Sequence, residues 1–162
     1  MAKVIIEDEY STVISRTWYT WGRTIAFGAV AGLAYWVLTV LIGQYIVEPL
    51  VCRNIVDATA CTNATPLAGN IAAILVAVLS IIGMVRMGIA RPIIIAIASA
   101  ALLWNLGAWT QGLFWLESIV WSVALYALVF ALFAWITRAI SLWVTIVISL
   151  LIVLIIRIAL IL

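Results

Sequence analysis

The sequence predicts an all-α fold in lipid. It reads as a polytopic integral membrane protein with five transmembrane helices and an N-terminal interfacial amphipathic helix, oriented N-in/C-out. Three observations predict this. Of the 162 residues, 69% are hydrophobic and 9% charged, with mean hydropathy +1.35, whereas a soluble domain carries roughly 45–50% apolar and about 25% charged residues. The apolar residues also fall in runs of a length suited to a ~30 Å hydrocarbon core. Finally, the charges sit at the ends of those runs, with Arg23 and Glu48 bounding the first and Arg138 and Arg157 the last.

Residues 1–23 come first. Ile6, Tyr10, Val13, Ile14, Trp18 and Trp21 recur at helical spacing, which predicts a cytoplasmic amphipathic helix. Trp18, Tyr19 and Trp21 suit the headgroup level, where an aromatic ring is half wet. The expectation is a helix lying on the membrane and leading into the first span; the bland alternative is a lead-in with a simple aromatic belt. The acidic run Glu7-Asp8-Glu9 is unlike a cleaved signal, so the first apolar run reads as a retained anchor.

A single transmembrane domain is expected over residues 24–162. Its first span, residues 24–47, is about 36 Å long as a helix. It contains Gly28 and Gly32 four apart, a spacing that lets a second helix approach closely. Packing within the chain and self-association are both open at this point.

Residues 48–66 form the expected extracytoplasmic loop, which holds Cys52 and Cys61. In an oxidising compartment a disulfide between them would contribute roughly 2–3 kcal/mol. The spacing is longer than the C-x-x-C of redox pairs, so a structural bond is the expectation. Thr65 is placed as the N-cap and Pro66 as the first residue of the second span, residues 67–85. Gly69, Ala73 and Ala77 make a small-residue stripe there for close helix contact.

The third and fourth spans, residues 93–109 and 113–137, form a hairpin with its polar tip at Asn105 to Gly112. Trp104, Trp109, Trp115 and Trp121 surround that tip. They read as an interfacial aromatic belt. The sharper alternative is an outward-facing pocket whose polar groups are Gln44, Asn105, Gln111, Glu117 and Arg157, with an ion pair between Glu117 and Arg157. The fifth span is residues 139–156, roughly 27 Å long.

With the N-terminus in the cytoplasm, Lys3, Arg16, Arg23, Arg86, Arg91 and Arg138 lie inside and Arg53 and Arg157 outside. This is a positive-inside bias, and it places the chain in the cell membrane as a multi-pass protein.

The chain has no histidine, so the commonest metal ligand and general base is absent. No cofactor, metal or catalytic residue is expected, and a net charge of +2 makes no case for nucleic acid. The membrane serines and threonines Ser80, Ser99, Ser122, Thr145 and Ser149 are expected to bond backbone or neighbouring helices. These features predict a small non-enzymatic membrane protein, a structural or accessory subunit of a membrane complex. Its partners would be the lipid bilayer and other membrane subunits or further copies of itself. A small transporter, channel or ligand-binding sensor built on the tryptophan-rich end is the alternative.

Overall fold

The computed structural model describes the backbone of residues 2–51, 64–89, 91–139 and 142–161, with side chains from residue 21 onward except near the ends of these segments. Among them every regular element is helical. Four helical stretches are long and apolar enough to cross a membrane: Trp21–Leu50, Ala64–Arg86, Pro92–Trp109 and Trp115–Thr137. A shorter apolar stretch, Trp143–Ile156, follows them. This is consistent with a multi-pass membrane protein.

Helix α1 runs unbroken over Ala2–Ile42. The residues expected to lie flat as a separate interfacial helix are therefore the first half of the same rod. Gly22 is the lone breaker near the expected junction, and one glycine costs a helix only about 1 kcal/mol. The helix then widens into a π-helical turn, Gly43–Val47, and ends as the short α2, Glu48–Val51. Pro49 explains the widening. It has no N–H to give the Tyr45 carbonyl four residues back, and its ring would press on that carbonyl. One extra residue in the turn relieves the clash, and the Glu48 N–H reaches back five residues to Gly43.

Helix α3 spans Ala64–Arg86. Thr65 is thus inside the first turn and not the cap, while Pro66 is still early enough to need no intrahelical partner. Residues 48–66, expected as one loop, are helical at both ends. The structure lends no support to the disulfide expected between Cys52 and Cys61, both of which lie outside the described residues. Gly88, with φ 68°, closes α3: its N–H donates to the Val85 carbonyl at 3.1 Å and the Ile89 N–H to the Met84 carbonyl at 3.1 Å. This is a Schellman ending, which needs a residue tolerant of the left-handed region.

Helix α4, Pro92–Leu102, begins with proline in its first turn, where the missing N–H is harmless. The third apolar stretch is not one helix. It breaks after Leu102 and resumes as α5, Leu106–Trp109, with Asn105 left-handed at φ 71°. The expected hairpin tip at Asn105 is therefore displaced toward Thr110–Phe114, and Gly112 takes φ 82° in that turn. Helices α6, Trp115–Ala139, and α7, Leu142–Ile161, complete the chain.

Helix α1 packs on α3 and α6, and α4 packs on the same two, so these four close a ring. Helix α7 lies outside it against α4 and α6. In lipid, shape complementarity and not water exclusion holds such a ring together. At Gly28 a methyl group would lie 2.8 Å from the Ala127 Cα, and at Gly32 2.6 Å from the Ser122 carbonyl oxygen. Backbone thus meets backbone along the α1–α6 seam. Phe27, Phe130, Tyr126 and Tyr35 fill the ring in aromatic contact, with centroid separations of 5.9, 6.2 and 5.2 Å along that order. Among the described residues no buried side chain is charged.

Candidate functional site

One end of the ring carries the α3 start, the α5 tip and the start of α6. Trp104, Trp109, Trp115 and Trp121 here are 39%, 42%, 56% and 54% exposed, a pattern that suits rings facing lipid headgroups. Gln44, Gln111 and Glu117 are exposed as well, and Asn105 is half-buried. The Arg157 side chain lies outside the described residues.

Asn105 is held from below. Its backbone N–H donates to Asn70 Oδ1 at 3.0 Å. The break in the third stretch robs this N–H of a helical partner, and an unpaired backbone group in hydrocarbon costs several kcal/mol. Asn70, on α3, supplies the missing acceptor. Beside this clasp α5 lies directly on α3: a methyl at Gly69 would sit 3.2 Å from the Gly107 Cα, and one at Gly107 3.1 Å from the Thr65 carbonyl oxygen. Glycine at both positions lets the two backbones touch.

Tyr35 reaches this contact from α1. Its hydroxyl would lie 2.8 Å from a methyl at Gly69. It faces the Gly107 backbone and the Thr39 hydroxyl but meets neither with hydrogen-bond geometry. Thr39 Oγ1 instead donates to the Tyr35 carbonyl at 2.8 Å. The Tyr126 hydroxyl and the Ser122 hydroxyl, one turn apart on α6, are also buried without a hydrogen-bond partner.

Tyr126 borders a shallow crevice walled by Ala73, Ala77, Ser80, Ala96 and Ser99 among others. The alanines keep the walls apart, yet no point in the crevice is wide enough for a water molecule. Ser99 is satisfied locally, donating to the Ile95 carbonyl at 2.6 Å. From Asn70 to Ser80 along α3 is about 15 Å, half of a ~30 Å core.

At the opposite end Arg91 Nη1 donates to Thr145 Oγ1 at 3.1 Å. Thr145 is fully buried, so this bond ties α7 to the α3–α4 turn. The tyrosines at positions 35 and 126 carry no sequence signal beyond being aromatic. Polar residues at matching depth on neighbouring runs were the one available hint. Among the described residues no three of His, Cys, Asp and Glu gather as metal ligands would. No family model, curated protein or solved structure matches the chain.

Proposed function

We propose that the chain is a non-enzymatic structural or accessory subunit of a membrane complex in the cell membrane. One observation carries the reading: α1 continues without interruption from Ala2 into the first apolar stretch. The residues before Trp21 make an arm of roughly 29 Å, whose sequence carries Lys3, Glu7, Asp8, Glu9 and Arg16. An arm joined to a packed ring by continuous helix arrives at a partner already oriented, which lowers the ordering cost of binding. The arginine distribution supports a cytoplasmic arm, and the 20 residues of α7 would supply a fifth crossing. The test is the native mass of the gently solubilised protein from its own cells, with copurifying chains identified. A larger assembly of fixed stoichiometry, lost when residues 2–17 are deleted, is expected. A lone monomer or homo-oligomer would overturn the reading.

A second reading, a small transporter or channel, is favoured by the broken third stretch. Discontinuous membrane helices are where transporters place their sites.

A further inference from the structure

We infer that the outer side of the α1–α3 seam binds an anionic phospholipid, with the Arg23 and Arg86 guanidiniums on its phosphate and its chains laid along the two helices. This goes beyond the accessory reading and does not depend on it.

Two contacts fix the level of the arginines. The Phe27 ring would lie 2.7 Å from a methyl at Gly83, and Tyr35 meets Gly69 further along the same two helices. Helices α1 and α3 therefore run antiparallel and touch at Phe27 and Gly83. Arg23 precedes Phe27 by about one turn on α1, and Arg86 follows Gly83 by about one turn on α3. Both stand just beyond this contact, at the same end of the bundle. Their side is fixed as well. Gly28 faces α6 and Ala77 faces the Ala96 wall of α4, and helical geometry puts Arg23 and Arg86 on the other sides of their helices. Both arginines are exposed, so they flank the seam where it meets lipid.

The residues above them suit acyl chains. Arg23, Val30 and Val37 recur at every seventh position of α1, and Arg86, Ile82, Leu79 and Leu75 follow at spacings of four and three on α3. Each set thus lies along one helix face. Val30, Val37, Leu75, Leu79 and Ile82 are all exposed. Two apolar rails rise from two cations into the hydrocarbon, which is the outline of an amphiphile with a charged head and paired chains.

The charge at this end has one sign. Glu48 and Glu117 belong to the opposite end. Glu9, the nearest acidic residue to Arg23 along α1, is about 21 Å away, past the ~10 Å over which salt leaves charges unscreened. Arg23 also interacts within the protein, but a guanidinium has donors to spare and grips a phosphate bidentately. Two guanidiniums outweigh one phosphate, so a headgroup that adds a cationic choline gains less here than one of net negative charge.

The test is native mass spectrometry of the purified full-length chain, titrated in detergent with dioleoyl phosphatidylglycerol or dioleoyl phosphatidylcholine. An arginine at the membrane surface strengthens binding of anionic lipid by about fivefold. Phosphatidylglycerol is expected to be held in preference to phosphatidylcholine. Its affinity should fall about fivefold in Arg23→Gln and in Arg86→Gln, and about 25-fold in the double variant, with helicity unchanged. Arg16→Gln removes the same charge from α1 about 10 Å further out and should bind like the unsubstituted chain. Excess inorganic phosphate should leave the lipid in place, since it has no chains for the rails. Phosphatidylcholine held as tightly, or a double variant that keeps phosphatidylglycerol undiminished, would overturn the site. An equal loss in Arg16→Gln would overturn it too, because net charge alone would then attract the lipid. Displacement by phosphate would overturn lipid as the occupant. The lipid preference and the phosphate competition use the unsubstituted chain, so they decide the matter even where a variant fails to fold. The accessory reading stands or falls separately, on the copurifying chains.

Discussion

Adding one methyl group at Gly32 tests how the ring is held. In Gly32→Ala the new carbon would meet the Ser122 carbonyl oxygen at 2.6 Å and the Val123 Cα at 2.7 Å. Ordinary contact begins at 3.4 Å, so α1 and α6 must part by about 0.8 Å at that level. Both obstacles are backbone, and no flexible side chain can swing aside. A gap of 0.5–1 Å forfeits roughly a quarter to a half of the dispersion energy of each facing atom pair, and this seam also carries Gly28. Overpacking of this kind costs about 1–3 kcal/mol, against which alanine returns about 0.5–1 kcal/mol of helix propensity. The net expectation is destabilisation of about 1–2 kcal/mol. Gly22→Ala is the matched control, on the same helix with nothing within 4 Å of the added carbon; it keeps the propensity gain and meets no obstacle. The assay is reversible unfolding of the purified protein in mixed micelles, followed by helicity and tryptophan emission. If Gly32→Ala proves as stable as Gly22→Ala, the close α1–α6 approach does not hold the ring and the reasoning fails.

Three further outcomes are expected. Thr145→Val removes the acceptor of the Arg91 bond and should cost about 1 kcal/mol, seen as faster proteolysis of α7 with the ring still folded. Gly88→Ala meets no atom within 4 Å but sits at φ 68°, so its cost of about 1–2 kcal/mol, read in thermal melts, is purely conformational. The exposed tryptophans at the α5 end should be quenched by lipids brominated near the carbonyls more strongly than by lipids brominated near the chain ends. The reverse order would place Trp104, Trp109, Trp115 and Trp121 away from the headgroups.

The class of the protein and most of its long helices were legible because apolar composition and run length are local properties. Ala64–Arg86 and Trp115–Ala139 start and stop within three residues of the spans that charge and proline mark. The break at Asn105 was not legible, because what stabilises it lies elsewhere. Asn70 is 35 residues away, and the Gly69–Gly107 contact becomes meaningful only once α3 and α5 are side by side. The sequence shows Asn105 as a polar residue suited to a turn; a partner that satisfies its N–H within the bundle has no trace in the neighbouring sequence. The unbroken α1 is not legible for a related reason. Aromatic residues report preference for an interface, which an upright helix and a flat one satisfy equally well. The π-helical turn at Gly43–Val47 is not among the expectations, because Pro49 disturbs the turn before it only if the helix continues past residue 47, where a loop is expected. The hydroxyls of Tyr35 and Tyr126 read as bulk until their burial and missing partners were seen together.

The brevity of α4 has a consequence for how the protein is made. Pro92–Leu102 is 11 residues, about 16 Å of helix, and cannot cross ~30 Å of hydrocarbon alone. Its remaining length comes from a bent tail that is stable only against α3. The insertion machinery therefore meets a weak signal between two strong ones. The segment should leave the translocating pore after α6 has emerged to form a hairpin with it, and with α3 already waiting in the bilayer. Until this stretch lies against α3 the Asn105 amide has no acceptor within the bilayer, so a ribosome stalled before α6 emerges should leave it outside the membrane and open to protease. Maturation of the chain would then depend on the order in which its segments appear.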